Sequence, residues 1–94
     1  MSPEGTTLGR PRLTRKARLK YDTLEKQFVV LYPERGIKLS ASAAEILQRC
    51  DGERTVETIA EELAQATGAP LAVVQKDVTA FVEEMKKRGV LEVV

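Results

Sequence analysis

Residues 42–63, SAAEILQRCDGERTVETIAEEL, predict two short helices joined by one tight corner. Ser42 and the glutamate three residues later form a capping-box pattern, which places the start of the first helix at this serine. Asp51 and Gly52 predict its end, because glycine readily adopts the left-handed conformation of a helix exit. Thr55 is a suitable N-cap for the second helix, whose apolar residues recur at helical spacing. Helices this short are not stable alone, so both must pack on another part of the chain.

Length and composition bound the class of protein. The 94 residues suffice for one domain with a modest core, and 31% charged with 43% apolar residues are typical of a soluble globular chain. No apolar run reaches the length of a membrane span, and the N-terminus lacks the apolar segment of a signal peptide. We therefore expect a cytoplasmic protein without a membrane partner.

The side-chain inventory argues against catalysis. The chain contains no histidine and one cysteine, Cys50, so it lacks the commonest general base and the ligands of a zinc or iron–sulfur site. Cys50 lies on the apolar face of the first helix and is predicted to be a core residue. Asp51, Glu53 and Tyr21 are the remaining acid or base candidates, and the first two are explained more simply as corner residues. We expect no enzyme activity, no cofactor and no metal.

Positive charge is concentrated near the N-terminus. Residues 10–20 contain six of the 15 basic residues and none of the 14 acidic ones. This segment is either a solvated arm or an electrostatic anchor for an acidic peptide or partner protein, with Arg15, Arg18 and Lys20 as the anchoring residues. Residues 1–12 are rich in proline, glycine and polar residues without periodicity, which predicts a flexible arm before a single domain at residues 13–94.

Three strands are predicted after this arm. Residues 17–22 alternate apolar and polar side chains, residues 28–32 form a β-branched and aromatic run, and residues 37–40 alternate again. A tight turn at residues 33–36 joins the last two. A meander of this kind leaves its third strand, Ile37 to Ser40, at an edge. That edge is either short and solvated, or it captures a peptide or a second copy of the chain by strand addition.

The longest helix follows Gly68 and Pro70, which mark a helix end and a helix start. Its apolar stripe is predicted to be core and consists of Leu71, Val74, Val78, Phe81, Val82 and Met85. A weaker row beside it, which could line a groove, consists of Val73, Asp77, Ala80 and Glu84. Residues 90–94 are compatible with a last strand or with a packed tail.

The resulting fold class is α+β, with an N-terminal three-stranded antiparallel sheet followed by three helices, similar to a winged helix-turn-helix. Such folds often bind DNA, but here the third helix begins with apolar residues where a recognition helix carries polar ones. The second helix carries Glu57, Glu61 and Glu62 without a balancing cation, which would repel phosphates. A winged-helix DNA-binding protein therefore remains only as an alternative.

Two longer stretches resemble a known family. They are LYPERGIKLSASAAEILQRCDGERTVETIAEEL at residues 31–63 and DVTAFVEEMKKRGVL at residues 77–91. Their motifs, in this order and spacing, resemble the PqqD family of pyrroloquinoline quinone biosynthesis proteins, the peptide-recognition elements of pathways that modify ribosomally made peptides. The resemblance covers residues 13–91 and departs from the family at Val90, where an aromatic residue is common.

This resemblance implies a peptide chaperone or adaptor that binds the precursor peptide PqqA and presents it to the radical S-adenosylmethionine enzyme PqqE. In related recognition elements the peptide adds as a strand beside the third strand, against the third helix. Carried onto this chain, the peptide-binding residues are Ile37, Lys38, Leu39, Ser40, Val73, Asp77, Ala80 and Phe81. A quinone or product carrier is a further alternative, and the protein is expected to be a monomer or an edge-mediated homodimer.

Overall fold

Five strands and three helices make up the part of the chain that the computed structural model describes, residues 9–32 and 35–94. In chain order they are β1 (Pro11–Leu13), β2 (Arg18–Asp22), β3 (Gln27–Tyr32), β4 (Arg35–Lys38), α1 (Ala41–Gln48), α2 (Val56–Thr67), α3 (Leu71–Lys87) and β5 (Leu91–Val93). The predicted α+β class, with three helices and antiparallel sheets, is confirmed.

The strands form two separate antiparallel sheets. One has the order β2-β3-β4, and the other pairs β1 with β5. The sequence placed Pro11 and Arg12 in a flexible arm, but they belong to β1 and lie opposite Val93 and Glu92. The rest of the predicted arm, residues 1–8, lies outside the described residues. The C-terminal stretch, for which a strand and a packed tail were both open, is therefore a strand.

The β2-β3-β4 sheet packs one face on the helices. Val30, at the centre of β3, is fully buried and lies between Leu19 of β2 and Ile37 of β4. β4 is the third strand of this sheet, and it begins and ends two residues earlier than the predicted range 37–40. Arg35 and Gly36 therefore pair with β3 instead of forming the turn. The other two residues of that predicted turn, 33 and 34, lie outside the described part of the chain.

The helix starts depend on side-chain caps. Ser40, not the predicted Ser42, caps α1: its backbone is extended, and its Oγ accepts the amide of Ala43 at 3.2 Å. Ser40 is the cap because it follows Leu39, the last residue that bonds β3, and the chain leaves the sheet at this point. The prediction for α2 is confirmed, since the Thr55 hydroxyl accepts the amide of Thr58 at 3.1 Å.

The three helices enclose most of the core. The apolar stripe of α3 is largely as predicted: Val74, Val78, Val82 and Met85 are buried, whereas Leu71 is 41% exposed and Phe81 is only half-buried.

Cys50 is buried after α1, as predicted, and burial raises the pKa of its thiol to about 12. A thiol with this pKa stays protonated at neutral pH and behaves as a small apolar core group.

Candidate functional site

The outer edge of β4 is the most distinctive feature of the sheet. β4 pairs with β3 on one side, and within residues 9–32 and 35–94 no strand pairs with its other side. β2 forms the opposite edge of the same sheet. An unpaired strand edge presents backbone N–H and C=O groups that a further strand can bond.

The register identifies which groups of β4 face outward. The Leu39 amide donates to the Phe28 carbonyl at 2.9 Å, so Leu39 and Phe28 form a hydrogen-bonded pair. In antiparallel sheets such pairs alternate with pairs whose N–H and C=O groups point away from each other. Ile37 therefore bonds β3, while Gly36 and Lys38 direct both of their backbone groups outward.

The four predicted strand residues thus differ in what they present. Lys38 offers an amide and a carbonyl to the outside, whereas Ile37 and the Leu39 amide bond β3. The side chains of Ile37 and Leu39 pack on the core. Ser40 directs its carbonyl to the Ala44 amide inside α1, at 2.9 Å. Gly36 was not among the predicted residues. A strand predicted to begin at Arg35 would have revealed it, because such a strand places Gly36 two positions before Lys38 and so on the same side.

The predicted helix wall lies on an exposed flank of α3. Val73 is 53% exposed, Asp77 and Ala80 are exposed, and Phe81 is partly buried against the core. These positions recur at three- and four-residue spacing, so Val73, Asp77 and Ala80 form one row on the helix surface.

Contacts at the end of α3 orient this row relative to the sheet. The row continues to Glu84 and Arg88, and Arg88 Nε donates to the Glu84 carboxylate at 2.8 Å. Hydrogen bonding of the Arg88 guanidinium to Glu84, and then to Tyr32, raises its pKa. Tyr32 lies opposite Arg35, at the start of β4. On the other side of the helix end, the Gly89 carbonyl accepts the Thr14 hydroxyl at 2.8 Å, in the segment that leads to β2. The end of the row therefore lies near Tyr32 of β3, whose partner in β4 is Arg35.

The three predicted anchor residues lie near β2. Arg18 and Lys20 are opposite Leu31 and Val29, so they share the sheet face that is turned away from the core. Arg15 lies in the turn before β2, and all three side chains are exposed. None of them forms an ion pair with an acid among the described residues, whereas Arg12 bonds Glu92 at 2.7 Å. The basic segment thus divides into a paired residue and an exposed cluster.

Two acidic residues, Asp51 of the α1–α2 corner and Glu62 of α2, have structural partners. The Asp51 carboxylate accepts the amides of Arg54 and Glu53, which lowers its pKa. The prediction that the glutamates of α2 lack a balancing cation is wrong for Glu62, which contacts Arg49 and Arg54 at 3.2 and 3.1 Å. Sequence spacing did not reveal these pairs because both arginines belong to the corner before α2.

Two absences concern only residues 9–32 and 35–94. Within them, no three His, Cys, Asp or Glu side chains are grouped so that they could hold a metal ion. None of the helices found there combines the length and the apolar character that a membrane crossing requires.

Comparison with known proteins relates the chain to a protein family. The family model described as coenzyme PQQ synthesis protein D (PqqD) matches residues 27–91. A Bradyrhizobium diazoefficiens protein named PqqA binding protein is 39% identical over 82 residues, which cover 87% of this chain and 80% of that protein.

Two solved structures are similar as well. The PqqD truncation of Methylobacterium extorquens PqqCD, described as a functional and stand-alone recognition element for ribosomally synthesized and modified peptides, is 37% identical with a TM-score of 0.71, and 87% of each chain is covered. Lasso peptide synthetase B1 complexed with its leader peptide is 20% identical with a TM-score of 0.77, covering 89% of this chain and 99% of that one. At this identity the second likeness concerns the fold alone.

Proposed function

The chain belongs to the PqqD family of coenzyme PQQ synthesis proteins, and from this membership we propose that it is a peptide-binding adaptor of that pathway. It receives the precursor peptide PqqA as an added strand on β4 and presents it to the radical S-adenosylmethionine enzyme PqqE. Relatives named PqqA binding protein and the recognition-element description of the Methylobacterium structure support this assignment.

The observation that carries the proposal is the outward direction of the backbone groups of Gly36 and Lys38. Each residue offers one donor and one acceptor. A bound peptide strand, called the guest below, can therefore form four backbone hydrogen bonds without displacing any bond of the sheet. Backbone bonding supplies affinity that is independent of the guest sequence, and side chains on alternate positions supply specificity.

The row on α3 provides the second wall of the proposed site. A guest residue opposite Ile37 directs its side chain to the helix side of the sheet, because side chains alternate along a strand. There it meets a surface that combines the apolar Val73, the small Ala80 and the carboxylate of Asp77. Phe81, half-buried beside this row, forms its inner border.

The adaptor acts by positioning the peptide beside the enzyme. A disordered peptide loses conformational entropy when it binds, and holding it beside the enzyme raises its effective concentration at the active site. Arg15, Arg18 and Lys20 form the anchor for the enzyme, since Arg18 and Lys20 lie on the sheet face turned away from the core and Arg15 is exposed in the turn before β2. Affinity that depends on this anchor falls as salt rises.

We place the same architecture with the winged helix-turn-helix proteins, in which β2, β3 and β4 would correspond to the sheet. The first turn of α3 contains Leu71, Ala72 and Val73, which do not offer the polar groups that read base edges. Peptide capture is therefore a better use of this architecture than DNA binding.

The sharpest test removes one outward amide. Lys38→Pro deletes the outward N–H of residue 38 and leaves that of Gly36, while the amides of Ile37 and Leu39 keep their bonds to β3. Lys38→Ala is the matched control, because it removes the same side chain and keeps the amide. Isothermal titration with synthetic PqqA should show at least tenfold weaker binding to Lys38→Pro than to Lys38→Ala.

Circular dichroism on both variants checks that the helices persist. Leu39→Pro is a poorer test, since its amide bonds Phe28 and its loss would damage the sheet itself. Equal affinities of folded Lys38→Pro and Lys38→Ala would reject strand addition at β4.

The open edge also accommodates a second copy of the chain, so the expectation of a monomer or an edge-mediated homodimer leads to a separate measurement. Light scattering with and without PqqA distinguishes the two states. If a dimer uses β4, added peptide lowers the molar mass of the protein component to that of one chain.

A further inference from the structure

We propose that the outer face of the sheet selects the guest peptide, taking an acidic side chain at Lys38 and, two guest residues later, a long apolar side chain across Gly36. This inference rests on strand addition at β4 and names the sequence class of the guest. The outer face is the face turned away from the core, where Val29 and Leu31 of β3 lie beside Gly36 and Lys38 of β4.

The missing side chain of Gly36 creates a notch at the edge of this face. A Cβ atom on Gly36 would lie 3.3 Å from Leu31 Cδ2 and 3.3 Å from Val29 Cγ1. Both apolar side chains thus extend over the glycine backbone and remain only half-buried. A guest side chain directly opposite Gly36 meets no side chain on β4, so it can lie across the glycine and contact Leu31. A long apolar side chain, such as leucine, methionine or phenylalanine, covers this surface best.

The second selective group is the Lys38 ammonium. Lys38 shares the outer face, two residues from Gly36, and its side chain is 69% exposed. Its described ion-pair partner, Glu25, is 3.5 Å away and itself exposed, so the pair is weak. Lys20 carries a further positive charge on the same face, opposite Val29. The local charge therefore favours a guest carboxylate opposite Lys38.

The direction of the guest sets the order of the two residues. Gly36 and Lys38 each face outward with both backbone groups, which lets an antiparallel guest residue bond both groups of one host residue. In that direction the guest residue opposite Lys38 precedes the residue opposite Gly36 by two positions. The guest sequence is thus acidic, then a residue facing α3, then long and apolar.

Double-mutant cycles with synthetic PqqA test this pattern. Each peptide residue is replaced by alanine in turn and titrated against the parent protein and against Leu31→Ala. One apolar guest position should lose about fivefold in affinity with the parent protein and almost nothing with Leu31→Ala, as expected for a cross-strand pair. The guest position two residues before it should be acidic, and its replacement by lysine should be rescued by Lys38→Glu.

Two variants make the cycles decisive. Gly36→Val fills the notch with a side chain suited to a strand, and should abolish the coupling to Leu31 while the protein stays folded. Lys76→Glu makes the same charge change on an exposed part of α3 and should not rescue the lysine-substituted peptide.

The outcomes separate this inference from the proposed function. If Lys38→Pro weakens binding but no guest position couples to Leu31 or Lys38, strand addition stands and selection by the outer face is overturned. If Lys38→Pro binds as tightly as Lys38→Ala, the docking mode fails and the selection with it. Coupling in the reverse order, with the apolar residue first, also contradicts the proposed antiparallel pattern.

Discussion

The edge strands β1 and β4 are both short, but the chain closes one and leaves the other open. At β1, Pro11 has no amide to offer and its carbonyl accepts the Gly52 amide at 2.9 Å. Arg12 pairs with Asp51 of the same corner and bonds Glu92 of β5. At β4, by contrast, both backbone groups of Gly36 and of Lys38 face away from the sheet.

This difference shows that an open edge is not an unavoidable result of small size. The corner between α1 and α2 closes the β1 edge with one glycine amide and one backbone bridge. The β4 edge instead carries two positive charges, on Arg35 and Lys38, so pairing with a second copy has to overcome like-charge repulsion. If the guest is acidic, as proposed above, the same charges would favour it over a second copy of the chain.

Replacing apolar anchors at the two edges should give the largest difference. Leu91 of β5 is only 3% exposed, so Leu91→Ala should lower the free energy of unfolding by about 2–5 kcal/mol. Ile37→Ala, at the half-buried anchor of β4, should cost clearly less because less apolar surface is lost. Urea denaturation measures both, with the m-value as a check on two-state unfolding.

A cost of Ile37→Ala equal to that of Leu91→Ala would show that the β4 edge is as firmly integrated in the core as the β1–β5 pair. In that case the open edge could not be regarded as the less constrained part of the fold.

A smaller effect is expected from the glycine that closes β1. Gly52 has φ 81° and its Cβ would lie 3.3 Å from the Arg12 side chain, so Gly52→Ala should destabilise by about 1–3 kcal/mol. Gly68→Ala is the matched control, because Gly68 has φ 76° and no atom within 4 Å of the added Cβ. Thermal unfolding should show the larger loss for Gly52→Ala, since only that variant also strains the contact with β1.

Equal losses for the two glycines would mean that backbone conformation alone accounts for both. The approach of the α1–α2 corner to β1 would then contribute nothing to closing that edge.

The sequence predicted the features that depend on neighbouring residues. The Thr55 cap, the exit of α2 at Gly68 and the buried Cys50 are each decided within about one helical turn, and the structure confirms them. The α1 cap was assigned to Ser42 from its capping-box spacing with Glu45, and only the departure of the chain from β3 selects Ser40.

Features that depend on distant residues were missed. The β1–β5 pair joins residues about 80 positions apart, as in the contact between Arg12 and Glu92, and no local pattern predicts such pairing. At the candidate site the sequence placed an edge near Lys38, but the register with β3 decides that Gly36, and not Ile37 or Leu39, shares its outward direction. Alternation of apolar and polar residues assigns the side chains of a strand to two faces. It does not say which residues direct their backbone groups to the neighbouring strand.

The smallest predicted effect is the pH dependence of the corner that closes β1. Backbone amides of Arg54 and Glu53, together with the Arg54 charge, lower the pKa of Asp51 from 3.8. The unfolded chain therefore takes up this proton at a higher pH than the folded chain does. The stabilisation is present above about pH 4 and is lost as the pH falls through the folded-state pKa.

Asp51→Asn keeps an oxygen acceptor for the two amides but removes the charge and the ion pair with Arg54. Urea denaturation between pH 7 and pH 2.5 should find the parent protein more stable at neutral pH and equal to Asp51→Asn at the acidic end. The protection factor of the Gly52 amide, which compares its exchange with the intrinsic rate at each pH, should fall over the same range. The Leu39 amide, just after β4, should keep its protection factor because its bond to Phe28 involves no titrating group. Stability curves that remain parallel down to pH 2.5 would contradict a charged Asp51 as the group that holds the corner against β1.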